Sequence, residues 1–193
     1  QGVIKGGKWV KGSGVNAYWL GTYEKELQDL LFLTIKKGDV FYDVGSNVGF
    51  YSLIASVGVG KSGYVYAFEP VPRNIYYIKE HIRLNKCSNS IVVSGAVSNK
   101  TDMSYFNESE HPATGSISQS FGDMLIPTFN LDELVENGKI RPPTIMKRGV
   151  EGNEFNLPGS TVFVKLGFRI LVNRPVHQGV CAEVLDDSDC LGD

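Results

Sequence analysis

Residues Val40–Leu53, VFYDVGSNVGFYSL, constrain the fold of this chain more than any other stretch. A short apolar, β-prone run ends at Asp43, with Val44 after it. Gly45 and Gly49 follow, and a second apolar run with helical spacing covers Val48–Val57. That pattern is a strand handing over to a helix through a tight turn. Upstream, Tyr23–Lys36 predicts an amphipathic helix: Leu27, Leu30, Leu31 and Ile35 form one stripe, Thr22 is the N-cap and Gly38 the stop. Downstream, Tyr64–Phe68 predicts a strand buried on both faces. Pro72 opens a helix to about Asn85, with Ile75, Ile78 and Ile82 along one side, and Ile91–Val97 predicts a third strand. A β-α-β-α-β order with short connections predicts an α/β domain with a mostly parallel sheet and helices on both faces.

Outside that core the pattern is looser. Residues 1–20 are glycine-rich with Trp9, Tyr18 and Trp19 and read as an N-terminal arm or short strands; residues 21–193 read as a single domain. Tyr18, Trp19 and Tyr23 read as packing residues. TDMSYFNE and TGSIS read as extra strands over a surface loop, and Asn130–Asn137 as a capped short helix. Pro143–Lys147 and Phe168–Val172 read as strands. Pro158 and Gly159 interrupt the helix expected after Glu151. The last twenty residues, the tail, have no usable period.

At 193 residues and 42% hydrophobic, the chain can build one sizeable core. A net charge of -2 gives no footprint for nucleic acid, and the pairs Lys36–Lys37 and Lys147–Arg148 read as solvated faces. No apolar run has membrane-spanning length and the start carries no secretory pattern; the odd, scattered cysteines make no disulfide framework, and a reducing cytoplasm is the default expectation. Gln1 in place of methionine reads as a trimmed start. Cys87, Cys181 and Cys190 are scattered, and His81, His111 and His177 share no ligand spacing, so no metal site is expected. His81 reads as an exposed helix residue. His111, beside Pro112, reads as part of a loop able to cover an acceptor.

The turn after the first strand is where an open α/β sheet binds ligands. Gly45 permits a left-handed backbone, Gly49 permits close packing, and the helix start offers free N–H groups. Glu69 ends the second strand in AFEP, where a carboxylate can accept hydrogen bonds from a ribose diol. The nicotinamide fingerprint is absent, because Asn47 stands where its second glycine would fall. An acid here repels pyrophosphate and suits a cofactor with an ammonium and a sulfonium. S-adenosylmethionine is such a cofactor. A nicotinamide-dependent oxidoreductase is the alternative that Asp43 argues against.

LGTYEKEL, GDVFYDVGSNVGFYSL, VYAFEPVPRN, GAVSNK, GSIS, NLDELV and MKRGVEGNEF occur in the order in which the FkbM family of SAM-dependent methyltransferases carries similar pieces. The chain resembles that family over roughly residues 18–157. The resemblance implies a Rossmann-like class I methyltransferase fold. It also implies methyl transfer to a small-molecule or glycan hydroxyl, commonly on a sugar or secondary metabolite; the charge and the lack of a long apolar run leave neither nucleic acid nor membrane expected as partner. Carried over by position, Asp43, Gly45, Ser46, Asn47 and Gly49 line the methionine end. Glu69 and Pro70 lie at the ribose, Asn74 shapes the adjoining turn, Ala96 and Val97 lie near the adenine, and Glu24 borders the pocket. The family then reads Lys-Ile-Asp-Val-Glu-Gly, whereas this chain has Lys147, Arg148, Gly149, Val150, Glu151 and Gly152, with Glu154 beyond. Gly149 replaces an acid and Arg148 an apolar residue, so the C-terminal part reads as degenerate. Lys147, Glu151 and Glu154 are the catalytic candidates. A SAM-binding protein with little or no catalysis is the alternative.

Overall fold

In the computed structural model the described residues are 4–108, 115–118, 120–149, 169–176 and 179–185. β1 (Val40–Val44) lies inside a sheet of order β10-β9-β8-β1-β2-β3. Its neighbours are β2 (Tyr64–Glu69) and β8 (Ile145–Gly149), both parallel to it. β3 (Ser90–Ser94) adds in parallel to β2, and β9 (Arg169–Val176) in parallel to β8. β10 (Gly179–Leu185) turns back antiparallel along β9.

Strand register sorts the core into two layers. Phe41 aligns with Val65 and Ile145, and these pack with Leu27 and Leu31 of α2 (Lys25–Thr34) and Phe50 and Ile54 of α3 (Phe50–Val59). Tyr42 aligns with Tyr66 and Met146, and these pack on the other face with Phe68, Ile140 and Leu131 of α5 (Leu131–Glu136). The period-two alternation of side chains along each strand produces this separation. Each large side chain so buried contributes about 1.5–3 kcal/mol by leaving water. α4 (Pro72–Asn85) packs beside α3, where a Cβ on Gly49 would sit 3.3 Å from the Ile78 side chain. The mostly parallel sheet with helices on both faces is the expected α/β architecture.

Several elements differ from the sequence expectation. α2 starts at Lys25 because Glu24 takes a left-handed conformation (φ 41, ψ 53), so Thr22 is not its N-cap. α3 starts at Phe50, after Gly49 at φ 85, and runs on to Val59. The expected third strand divides at Gly95: β3 stays in the main sheet, while β4 (Ala96–Val97) joins a second one of order β4-β7-β5-β6. A Cβ at Gly95 would lie 2.6 Å from both the Phe129 ring and the Pro127 carbonyl, so the crossing needs glycine. β5 (Asp102–Glu108) and β6 (Gly115–Ser118) form the expected extra strands. β7 (Met124–Phe129) and β10 went unread: Pro127 breaks the strand signal in one, and the other lies in the tail without a period. Asn130 caps α5 as expected, its side chain accepting from Glu133 N at 3.1 Å.

Residues 4–20 form turns and the short helix α1 (Asn16–Leu20). Tyr18 is buried against Phe50 and Tyr23, whereas Trp19 is 58% exposed and does not pack in the core. His81 is fully buried, not exposed. It shares the inner face of α4 with Asn74 and Ile78, at i, i+4 and i+7 spacing. Its Nδ1 lies 2.8 Å from the Val48 carbonyl, and Val10 N donates to its Nε2 at 3.1 Å. These partners assign the hydrogen to Nδ1. Trp9 stacks on the ring with centroids 3.8 Å apart, which fastens the N-terminal segment to α4.

Candidate cofactor site

The turn between β1 and α3 lies at the carboxyl end of the central strand. Gly45, Asn47 and Gly49 all have positive φ, at 70, 51 and 85. Asparagine tolerates that region better than most residues. Gly45 N and Ser46 N both donate to the Phe68 carbonyl, at 3.1 and 3.0 Å, and Gly49 N closes on Ser46 O at 2.8 Å. Ser46 Oγ also donates to Phe68 O at 3.1 Å. The turn is therefore pinned to the end of β2.

Glu69 sits beside it, 4% exposed. Its Oε2 accepts from Asn47 N at 2.7 Å; its Oε1 accepts from Val71 N at 3.1 Å and Asn74 Nδ2 at 3.2 Å. Burial pushes its carboxyl up to about 7, against the opposing pull of those three bonds. A carboxylate has about four acceptor positions, so Oε2 retains capacity for a further donor. Asn74 is buried and orients Glu69, while Pro70 is half-buried between Glu69 and Val71. Gly95 N donates to Glu69 O at 2.9 Å, which brings the buried pair Ala96 and Val97 alongside.

Beneath the turn, Asp43 is fully buried. Its Oδ2 accepts from Ser52 Oγ at 2.6 Å. Its Oδ1 lies 3.3 Å from Lys147 Nζ, an ion-pair distance without an aligned hydrogen bond. Lys147 is buried, which corrects the solvated face expected for the Lys147–Arg148 pair. Its Nζ also donates to the Gly45 carbonyl at 3.3 Å and lies 5.0 Å from the centre of the Tyr51 ring. The Tyr51 hydroxyl donates to Glu24 Oε2. Burial, then that bond, pushes the Tyr51 hydroxyl well above its usual range. Arg148, aligned with Val44 and Val172, is half-buried, and desolvation lowers the pKa of its guanidinium.

The turn residues, Asp43, Lys147 and, through Tyr51, Glu24 thus form one group, joined to Glu69 and Asn74 through Asn47. Glu151, Glu154 and His111 lie outside the described residues. Tyr51 and Ser52 escaped the sequence reading; a hydroxyl inside an apolar helix one turn after a strand-end acid was the available signal.

Residues 43–160 match the family described as Methyltransferase FkbM domain. The chain belongs to the FkbM methyltransferase family. It is 32% identical over 161 residues to the hexuronic acid methyltransferase AglP of Haloferax volcanii, covering 81% of this chain and 64% of AglP. The chain thus spans less than two thirds of that relative. Among solved structures, FkbM from Methylobacillus flagellatus KT is similar with a TM-score of 0.50 at 20% identity, over 70% of this chain and 32% of that one. Aeropyrum pernix fibrillarin, solved with natively bound S-adenosyl-L-methionine, is similar with a TM-score of 0.53 at 16% identity, over 91% of this chain and 67% of that one. These likenesses give the FkbM-family chain the class I SAM-dependent methyltransferase fold. Among its described residues no helix is long and apolar enough to cross a membrane.

Proposed function

We propose that this chain binds S-adenosylmethionine at the turn after β1 and transfers a methyl group to a hydroxyl of a sugar or secondary metabolite. The observation that carries the reading is the bond from Asn47 N to Glu69 Oε2, which joins the turn to the acid that ends β2. Through it one compact site offers a surface for an amino-acid end and an acceptor for a ribose. In this reading Gly45, Ser46, Asn47 and Gly49 receive the methionine end, and Asp43 acts from below through the turn. Glu69, with Pro70 and steadied by Asn74, takes the ribose. Ala96 and Val97 face the adenine, and Glu24 closes the rim. When bound, the cofactor supplies a methyl group already activated for attack.

The acceptor hydroxyl must lose a proton, and a positioned base contributes typically about 10²–10⁴-fold. Glu151 and Glu154 are the candidates for that role. A sugar acceptor is supported by the relative AglP, a hexuronic acid methyltransferase. A second reading, cofactor binding with little turnover, is favoured by Gly149 at the end of β8, where the family carries an acid.

Calorimetry with S-adenosylhomocysteine tests both readings, followed by single-turnover methylation of a panel of hydroxylated sugars that includes hexuronic acids. Binding with transfer supports the first, binding without transfer the second. No binding by folded protein overturns both, and a dinucleotide found by mass spectrometry of the purified protein would put an oxidoreductase in their place.

A further inference from the structure

We infer that Lys147 and Tyr51 are positioning residues that lock the peptide between Gly45 and Ser46 in the orientation the cofactor meets. The inference rests on the reading that this turn holds S-adenosylmethionine. Two consecutive peptide units of the turn are held at both ends. The Gly45–Ser46 unit has its carbonyl on Lys147 Nζ at 3.3 Å and its N–H on Phe68 O at 3.0 Å. The Ser46–Asn47 unit has its carbonyl on Gly49 N at 2.8 Å and its N–H on Glu69 Oε2 at 2.7 Å. Main-chain partners and Glu69 supply three of these four restraints; Lys147 supplies the fourth. Glycine at φ 70 has wide backbone freedom, so the carbonyl end of that unit depends on the Lys147 cation, as its N–H end depends on Phe68 O.

Lys147 cannot easily leave. Asp43 Oδ1 faces it at 3.3 Å from the adjoining strand, and the Tyr51 ring lies 5.0 Å from its Nζ. Tyr51 is itself tethered to Glu24 through its hydroxyl. The segment entering α2 is thereby tied to the cofactor turn through two side chains. The Lys147 side chain is thus committed to the Gly45 carbonyl, Asp43 and the Tyr51 ring. That separates Lys147 from the catalytic role its place in the sequence invites. A turn fixed before binding spends less of its binding energy on ordering.

The test uses the full chain and S-adenosylhomocysteine as probe. Lys147→Met alone leaves Asp43 buried and uncompensated and risks misfolding. The double variant Asp43→Asn, Lys147→Met removes both charges and serves as the main reagent. It is expected to melt close to wild type without ligand, yet to bind S-adenosylhomocysteine about tenfold to a hundredfold more weakly, as for loss of a charge-assisted hydrogen bond. The amide of Ser46 should exchange faster in the ligand-free double variant. Tyr51→Phe keeps the ring and is expected to weaken binding less than Tyr51→Leu. Wild-type affinity in a folded double variant overturns the inference and leaves the cofactor site standing. Failure of wild type to bind overturns the site itself.

Discussion

Asp43 and Lys147 are register partners on neighbouring parallel strands, and their charged ends face each other at 3.3 Å, both buried. More than a hundred residues of chain separate them, so the pair exists only once β8 has docked against β1. Removing one partner from a buried pair costs more than removing both. Asp43→Asn alone is therefore expected to destabilise the protein by about 3–5 kcal/mol. The double variant with Lys147→Met should lose clearly less. Urea unfolding of the single and double variants measures the difference; equal losses would show that the two charges do not interact.

Glu69 makes the ligand-free protein sensitive to pH near neutrality. Its folded carboxyl sits at about 7 against an ordinary value of 4.5, so between those values the folded state binds a proton that the unfolded state has released. Its contribution is whole below about 4.5 and is lost as pH rises through about 7, a fall of order 3 kcal/mol. Glu69→Gln should abolish that fall in denaturant titrations across the window. A ribose diol donates to the ionised carboxylate, so binding of S-adenosylhomocysteine at pH 6 should release a proton. Calorimetry in buffers of differing ionisation enthalpy reads it directly. Glu69→Ala should weaken binding by roughly one to three decades, as charge-assisted bonds worth about 1.5–3 kcal/mol each are lost.

His81 acts in the opposite direction. Desolvation, the larger influence, lowers its pKa from the ordinary 6.5, so its contribution is present above that value and lost as pH falls below it. The acid-side loss should steepen in Glu69→Gln, where the opposing carboxyl is gone. His81→Leu should flatten it while destabilising the fold by about 1–3 kcal/mol for each stranded partner at Val10 and Val48. Denaturant titrations from pH 5 to 8 on these variants check this; stability in Glu69→Gln that holds level or rises as pH falls below 6.5 would overturn it.

Gly149 closes β8 opposite Asn173 of β9, two positions beyond Lys147. If the acid usual at this place serves the acceptor, Gly149→Asp should raise turnover on the order of 10²-fold with cofactor affinity little changed. Single-turnover methylation against wild type decides it. Equal, robust rates would show that this chain works without the acid, and the low-turnover reading would fail with it.

The sequence by itself determined what depends on neighbours along the chain. A β-prone run, Asp43, two spaced glycines and an apolar helix define the strand-turn-helix unit, because backbone preference and side-chain period act over a few residues. Glu69 is legible in the same way, as the acid closing the second strand. Tertiary structure decided the rest. Lys147 looks solvated beside Arg148 until register places it against Asp43. His81 lies among polar residues of α4 and becomes buried only when Trp9 and Val48 close over it. Ala96 and Val97 continue one apolar run with β3, yet they leave the main sheet, because Phe129 and Pro127 cross tightly at Gly95. Glu24 carries a helix-start pattern, yet it stands in a left-handed conformation bonded to Tyr51. In each case the deciding contact joins residues distant in sequence, and its energy enters only after the strands have paired, so no local window contains it.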